Sequence, residues 1–340
     1  MDKPEVSVVI TTYKRPDKLA RAIKSVLDQT LKDWELIIVD DNNADSPFRA
    51  ETEAFMESYL VDPRIRYIKH EKNSGAPAAR NTGIKAAVGT YIALLDDDDE
   101  FESTKLEKQL ALFKSSDLEN LGVVYCKNRY LDDTGTVIRY SVAKVRGDVF
   151  KYQMVRNVGI TSTLMIKKDV IEHAGYFHDI VCAQEYELLL RIFALGYTAD
   201  FVDEFLSNVY IHGGERITTG EKVIQGRLYI FKEKQDYFHL LTPGEQRTVE
   251  HLHYLAMFRE YILLKDYKEA RAYWKKAVAT KPQDPLNYIE GLSFVIPVPA
   301  VNSIKTCLHH TKAFLKTSSK VAHRMISPIA ICFPPRKIFH

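Results

Sequence analysis

The chain has 340 residues, 46% hydrophobic and 27% charged, an ordinary globular composition that suffices for one large domain or one domain with an appendage. Its net charge of +2 hides an asymmetry, because residues 291–340 hold seven Lys and Arg and no Asp or Glu, giving that tail +7 and leaving −5 on residues 1–290. Basic surface confined to one end argues against a nucleic-acid partner and suits an anionic membrane surface.

The opening Met1-Asp2-Lys3-Pro4-Glu5 lacks the basic and apolar regions of a secretory signal. No stretch approaches the roughly 18 uninterrupted apolar residues of a spanning helix. The runs 291–301 and 326–335 are broken by Pro297, Pro299, Pro328 and Pro334. Cys126, Cys182, Cys307 and Cys332 form no CxxC pair and no metal-ligand spacing. A cytoplasmic chain with buried, reduced thiols is expected.

Between residues 6 and 127, β-rich runs alternate with helical patterns. Strands are predicted at 6–11, 34–39, 65–68, 91–95 and 122–126. Helices are predicted at 16–27, opened by Pro16, and at 48–59, 78–87 and 104–113, the last capped by Ser103. Such βα units feed a mostly parallel sheet, in which ligands bind beyond the carboxyl ends of the strands. Thr12, Tyr13, Lys14 and Arg15 arrive there after the first strand, Asp40, Asp41 and Asn42 after the second, and the acidic run 96–99 after the fourth. Residues 128–240 read as the second half of the same domain, 1–240, whose first half spans 1–127. Residues 241–290 are purely helical. There Ala270, Trp274, Ala277 and Pro282 fall at the spacing of a tetratricopeptide second helix, with Tyr254 and Tyr261 on the first and Phe258 where a small residue is usual. One such hairpin cannot build a solenoid, so it is expected to pack on the preceding domain.

Asp96, Asp97, Asp98 and Asp99 repel one another unless a cation, or donors from a ligand, share their charge. An acidic surface turn is one reading. A calcium loop is another, with oxygen ligands counted from Asp96 and Glu107 in twelfth place, but Phe101 stands where the sharp turn needs Gly and a strand precedes it. Oxygen ligands of this hardness point to Mg²⁺ or Mn²⁺. The run from Asn73 through Gly75 to Arg80 and Asn81 reads as a turn and an alanine-rich helix lying close to the sheet. Arg80 would pair with an aspartate or reach phosphates.

Val6-Ser7-Val8-Val9-Ile10-Thr11-Thr12-Tyr13, Val39-Asp40-Asp41-Asn42, Asn73-Ser74-Gly75 with Ala79-Arg80-Asn81-Thr82-Gly83, and Leu94-Leu95-Asp96-Asp97-Asp98-Asp99 together resemble the family 2 glycosyltransferases of the GT-A fold, over roughly residues 5–215. The resemblance implies an α/β, Rossmann-like, mostly parallel sheet flanked by helices, with a C-terminal helical extension. It implies inverting transfer of a hexose from a UDP-sugar to a glycan hydroxyl. Thr11, Tyr13 and Asp41 would hold the nucleotide, with Tyr13 stacking on the pyrimidine and Asp41 accepting the uracil N3–H. The alternatives are that Tyr13 covers the sheet end and Asp41 caps the next segment. Arg80 would line the donor pocket and Asp97 would touch the ribose. Asp98 would bind Mn²⁺ or Mg²⁺ directly, with Asp96 assisting.

Residues 183–191 resemble the family's Glu-Asp motif with its trailing Leu and Arg, which makes Glu185 the base. Gln184 stands where Glu is common and Glu185 where Asp is usual, and Glu187 suits a helix start. A lone histidine is more often a hydrogen-bonded structural residue than a ligand; the expectation here is that His212 would be a third metal or phosphate contact, beside a Gly213-Gly214 loop from which Arg216 could meet the diphosphate. The basic tail, carrying Phe314, Leu315, Met325, Ile326 and Phe333, would dock the protein peripherally on the inner face of the cell membrane, near polyprenyl-diphosphate-linked acceptors. Two rivals stay open. A nucleotidyltransferase would need a basic Gly-rich loop that does not follow the first strand, and a non-catalytic sugar-nucleotide-binding protein is compatible with the altered Gln184-Glu185 pair.

Overall fold

Strands buried on both faces read as unbroken apolar runs, and Val6–Thr12 (β1) and Trp34–Asp40 (β2) are of this kind, the second buried throughout. The computed structural model describes residues 3–211, 220–296 and 300–301. These divide into two compact units between Tyr237 and Phe238.

In the first unit, β1 leads to α1 (Pro16–Leu27), whose start and end match the sequence expectation, and β2 to α2 (Pro47–Met56), which stops short of Tyr59. There follow β3 (Ile65–Lys69), α3 (Ala76–Ala86), β4 (Tyr91–Asp96), the two-residue β5 (Glu100–Phe101) and α4 (Lys105–Ser115). Ser103 does not cap α4. Thr104 holds the cap position without a side-chain hydrogen bond, and the Ser103 carbonyl instead accepts the Thr30 amide at 2.8 Å. The second half comprises β6 (Leu121–Leu131), β7 (Val137–Tyr140), α5 (Phe150–Gln153), β8 (Leu164–Lys167), α6 (Lys168–His173), α7 (Gln184–Ala194), β9 (Thr198–Tyr210) and α8 (Glu221–Asp236).

All these strands join one sheet in the order β3-β2-β1-β4-β8-β6-β9-β5, with β7 on β6. The run from β3 to β4 is parallel, as the βα pattern predicts. Beyond it the sheet is mixed: β8 runs antiparallel to both β4 and β6, while β9 is parallel to β6. Leu19, Ala22, Ile23 and Val26 place one stripe of α1 in the core with Val8, Ile10, Leu36 and Ile38. On α3, Gly83 meets the sheet so closely that a Cβ there would lie 2.4 Å from Val9 Cγ1.

The second unit contains α9 (Pro243–Leu263), α10 (Tyr267–Thr280) and α11 (Pro285–Gly291). Thr242 and Glu245 form a capping box at the start of α9. Phe258, Ile262 and Ala270 make a small core with Tyr261, Tyr273 and Trp274, and Trp274 Nε1 donates to the Asn287 carbonyl at 2.8 Å. Among the described residues no helix is long and apolar enough to cross a membrane. The basic tail lies outside them, apart from its first residues.

Candidate active site

Strand register assembles the rim. Thr12 pairs with Asp40 and Thr11 with Asp96, so β1, β2 and β4 end level and the residues that follow emerge side by side. Tyr13 is 39% exposed there. Lys14, at φ 57°, turns the chain away. Its amide donates to Asn42 Oδ1 at 3.0 Å, and its ammonium lies 4.9 Å from the Tyr13 ring centre.

Asp41 is buried, and its carboxylate accepts four donors. His70 Nδ1 and the Ser74 amide reach Oδ1 at 2.7 and 2.8 Å, while Asn73 Nδ2 and the Gly75 amide reach Oδ2, both at 2.8 Å. About four acceptor positions are all a carboxylate has. Asp41 therefore orders the 73–75 turn that leads into α3, and a uracil N3–H would have to displace one of these donors. His70, which the sequence reading missed, follows β3 by one residue. Donating from Nδ1 leaves its Nε2 to accept from Thr82 Oγ1 at 2.9 Å.

The acidic run is separated by its partners. Arg80 Nη2 donates to Asp96 Oδ1 at 2.8 Å, and Arg15 Nη1 reaches Asp98 Oδ2 at 2.7 Å and Asp97 Oδ1 at 3.3 Å. Asp97, expected at the ribose, is only 5% exposed. Burial, with the charge of Asp98 adding, pushes its carboxyl up to about 7 against the pull of Arg15. Asp99 points inward, where Ser162 Oγ donates to it at 2.6 Å and the Tyr210 amide at 3.1 Å, and burial raises its pKa well above the usual carboxylate range.

Asp96 and Asp98 keep some solvent access, with side chains 35% and 19% exposed. Their hard oxygens fit a divalent ion by donor type, although each now faces an arginine. Among the described residues no group of three or more His, Cys, Asp or Glu side chains is placed to hold a metal. His212 and Arg216 lie outside the described residues.

Glu185 stands at the start of α7, two residues after Ala183, whose φ of 61° is left-handed. Such a strained non-glycine position must be held by its surroundings. Asn157 Nδ2 approaches Glu185 Oε1 at 3.4 Å. Burial raises the Glu185 pKa, with Arg80 opposing and Asp96 reinforcing. Arg80 links the two sides of the site, since its Nη1 donates to Gln184 Oε1 while Nη2 holds Asp96. Glu187 is not a solvated helix-start acid. It is buried and paired in two-pronged fashion with Arg191, at 2.5 and 2.7 Å, and with His178 at 2.9 Å.

Comparison with known proteins follows the same lines. The model of Glycosyl transferase family 2 matches residues 7–173. An uncharacterized glycosyltransferase of Methanocaldococcus jannaschii is 32% identical over 210 residues, which are 61% of this chain and 70% of that protein. The Escherichia coli protein WfgD, a UDP-Glc:alpha-D-GlcNAc-diphosphoundecaprenol beta-1,3-glucosyltransferase, is 28% identical over 193 residues, 56% of this chain and 71% of its own. Among solved structures, S. aureus TarS in complex with UDP-GlcNAc superposes with a TM-score of 0.53 at 15% identity, over 87% of this chain and 77% of that one. At that identity the likeness shows the fold, which is of the GT-A type.

Proposed function

Because the chain belongs to glycosyl transferase family 2, we propose that it moves a hexose from a UDP-sugar to a hydroxyl of a lipid-linked glycan, with inversion at the anomeric carbon. The observation that carries this reading is the level ending of β1, β2 and β4, which gathers Tyr13, the turn ordered by Asp41, and the carboxylates of Asp96 and Asp98 on one rim. A UDP-sugar donor and a diphosphoundecaprenol-linked acceptor are what the name of WfgD states for that protein, and TarS was crystallised with UDP-GlcNAc.

In this reading the base of the nucleotide stacks on Tyr13, beside Thr11, and the 73–75 turn braced by Asp41 closes its edge. Arg80 and Arg15 offer cations to the diphosphate, and Asp97 steadies Arg15 near the ribose. Asp96 and Asp98, with His212 as a third ligand by donor type, would hold Mn²⁺ or Mg²⁺. When bound, the ion neutralises the departing diphosphate. Glu185 takes the proton of the acceptor hydroxyl as it attacks, and a carboxyl raised by burial stands closer to working pH than a solvated one. The basic tail brings the chain to the inner membrane face where lipid-linked sugars reside.

Replacing Glu185 with Gln tests the assignment. Turnover of the UDP-sugar onto acceptor should fall by about 10²–10⁴-fold while UDP binding, measured by calorimetry with manganese, persists. Unchanged turnover removes Glu185 from the chemistry. UDP affinity indifferent to Asp98→Ala in a folded sample removes the metal reading.

A further inference from the structure

Gln184 is the neutral member of an otherwise charged group, and its amide has a settled orientation. Its Nε2 donates to the Ile180 carbonyl at 3.1 Å, so the oxygen must be the atom turned to Arg80. Both residues are buried to 9% exposure. Arg80 is thus strung between one carboxylate, Asp96 on β4, and one amide, Gln184 on the helix that carries Glu185.

A glutamate in that place would have given Arg80 a second carboxylate. In a site of low dielectric, two flanking anions spend the guanidinium charge on the protein itself. The amide supplies the same acceptor atom without the charge. We propose that Gln184 is a positioning residue that anchors Arg80 between β4 and α7 while leaving its cation for the diphosphate of the bound donor. This rests on the donor reading given above.

Two variants separate charge from scaffolding. Gln184→Met and Gln184→Glu both lose the bond to the Ile180 carbonyl; Met also removes the acceptor for Arg80, whereas Glu keeps an acceptor there and adds an anion. UDP affinity is measured calorimetrically with excess Mn²⁺ at a temperature where both remain folded by circular dichroism. Q184M should bind UDP about threefold more weakly than the parent chain, the cost of a lost anchor, and Q184E about tenfold more weakly, since a like charge moved next to a buried ion pair is worth on the order of one decade or more; a Q184M that binds as the parent does removes the anchoring role. Equal weakening by the two variants, or a Q184E that binds as the parent does, overturns the inference while the donor reading stands. A parent chain without measurable UDP affinity overturns both.

Discussion

Lys105 shows how far a single side chain can depart from its sequence pattern. It is wholly buried, and its ammonium meets Gln109 Oε1 at 2.7 Å and the Phe101 ring at 3.8 Å from the centre, with no carboxylate partner among the described residues. Burial pulls its pKa down to about 8, with the buried Cys126 thiol acting weakly the other way. The unfolded chain keeps this proton to about 10.5, so between the two values it binds more protons than the folded one and stability rises with pH. Below pH 8 the full penalty applies. The stability difference between the parent and Lys105→Met should therefore change by about 3 kcal/mol in favour of the parent from pH 8 to 10.5. Urea titrations across that range check it, and a pH-independent difference contradicts a buried titrating lysine. The ring and amide partners of Lys105, which are Phe101 and Gln109, stand four residues to either side, but they do not by themselves announce burial, which comes from β6 and β9 lying against α4. The site divides in the same way. Strand ends alone put Tyr13, Asp41 and the aspartates on one rim, and Arg80 was singled out on its helix, whereas His70, Asn157 and Ser162 were not, because each enters through a partner 28 or more residues away.

Elements follow the same logic at larger spacing. Pro16 and the stripe Leu19, Ala22, Ile23 and Val26 are contained within α1, so that helix could be delimited from its own residues. The two residues of β5 form a strand only because Asn208 and Ser207 of β9 lie opposite them, and β8 turns the sheet antiparallel through pairing no local pattern encodes. Close packing of α3 was foreseeable from its small residues, and it yields a sharp expectation. At Gly83→Ala the new methyl would lie 2.4 Å from Val9 Cγ1 and 3.3 Å from Val39 Cγ2, both stiff β-branched side chains in the sheet. Overpacking of this kind costs about 1–3 kcal/mol, against a gain in helix propensity of about 1 kcal/mol. The variant should lose stability in urea, and UDP affinity should fall with it, because α3 carries Arg80 and begins at the turn that Asp41 orders. A Gly83→Ala chain as stable as the parent would mean that α3 can lift off the sheet freely.

For the whole molecule the dominant long-range feature is charge. The first 290 residues carry −5 and the last 50 carry +7, so an anionic surface attracts one end of the chain and repels the body. Each Lys or Arg held near an anionic leaflet contributes on the order of 1 kcal/mol, and the field fades within a Debye length of about 10 Å at 0.1 M salt. Seven such residues interleaved with Phe314, Leu315, Met325, Ile326 and Phe333 would, on the docking reading proposed above, combine electrostatic attraction with apolar insertion. Cosedimentation with vesicles containing phosphatidylserine should therefore be strong for the full chain at low salt, weak on neutral vesicles, and at least tenfold weaker for a chain ending at residue 301. Raising the salt to 0.5 M should release most of the full-length protein, while turnover on a soluble acceptor stays the same for both lengths. Equal vesicle binding by the two lengths would place the membrane contact elsewhere on the chain, and salt-insensitive binding would make the apolar residues, rather than the cations, its main source.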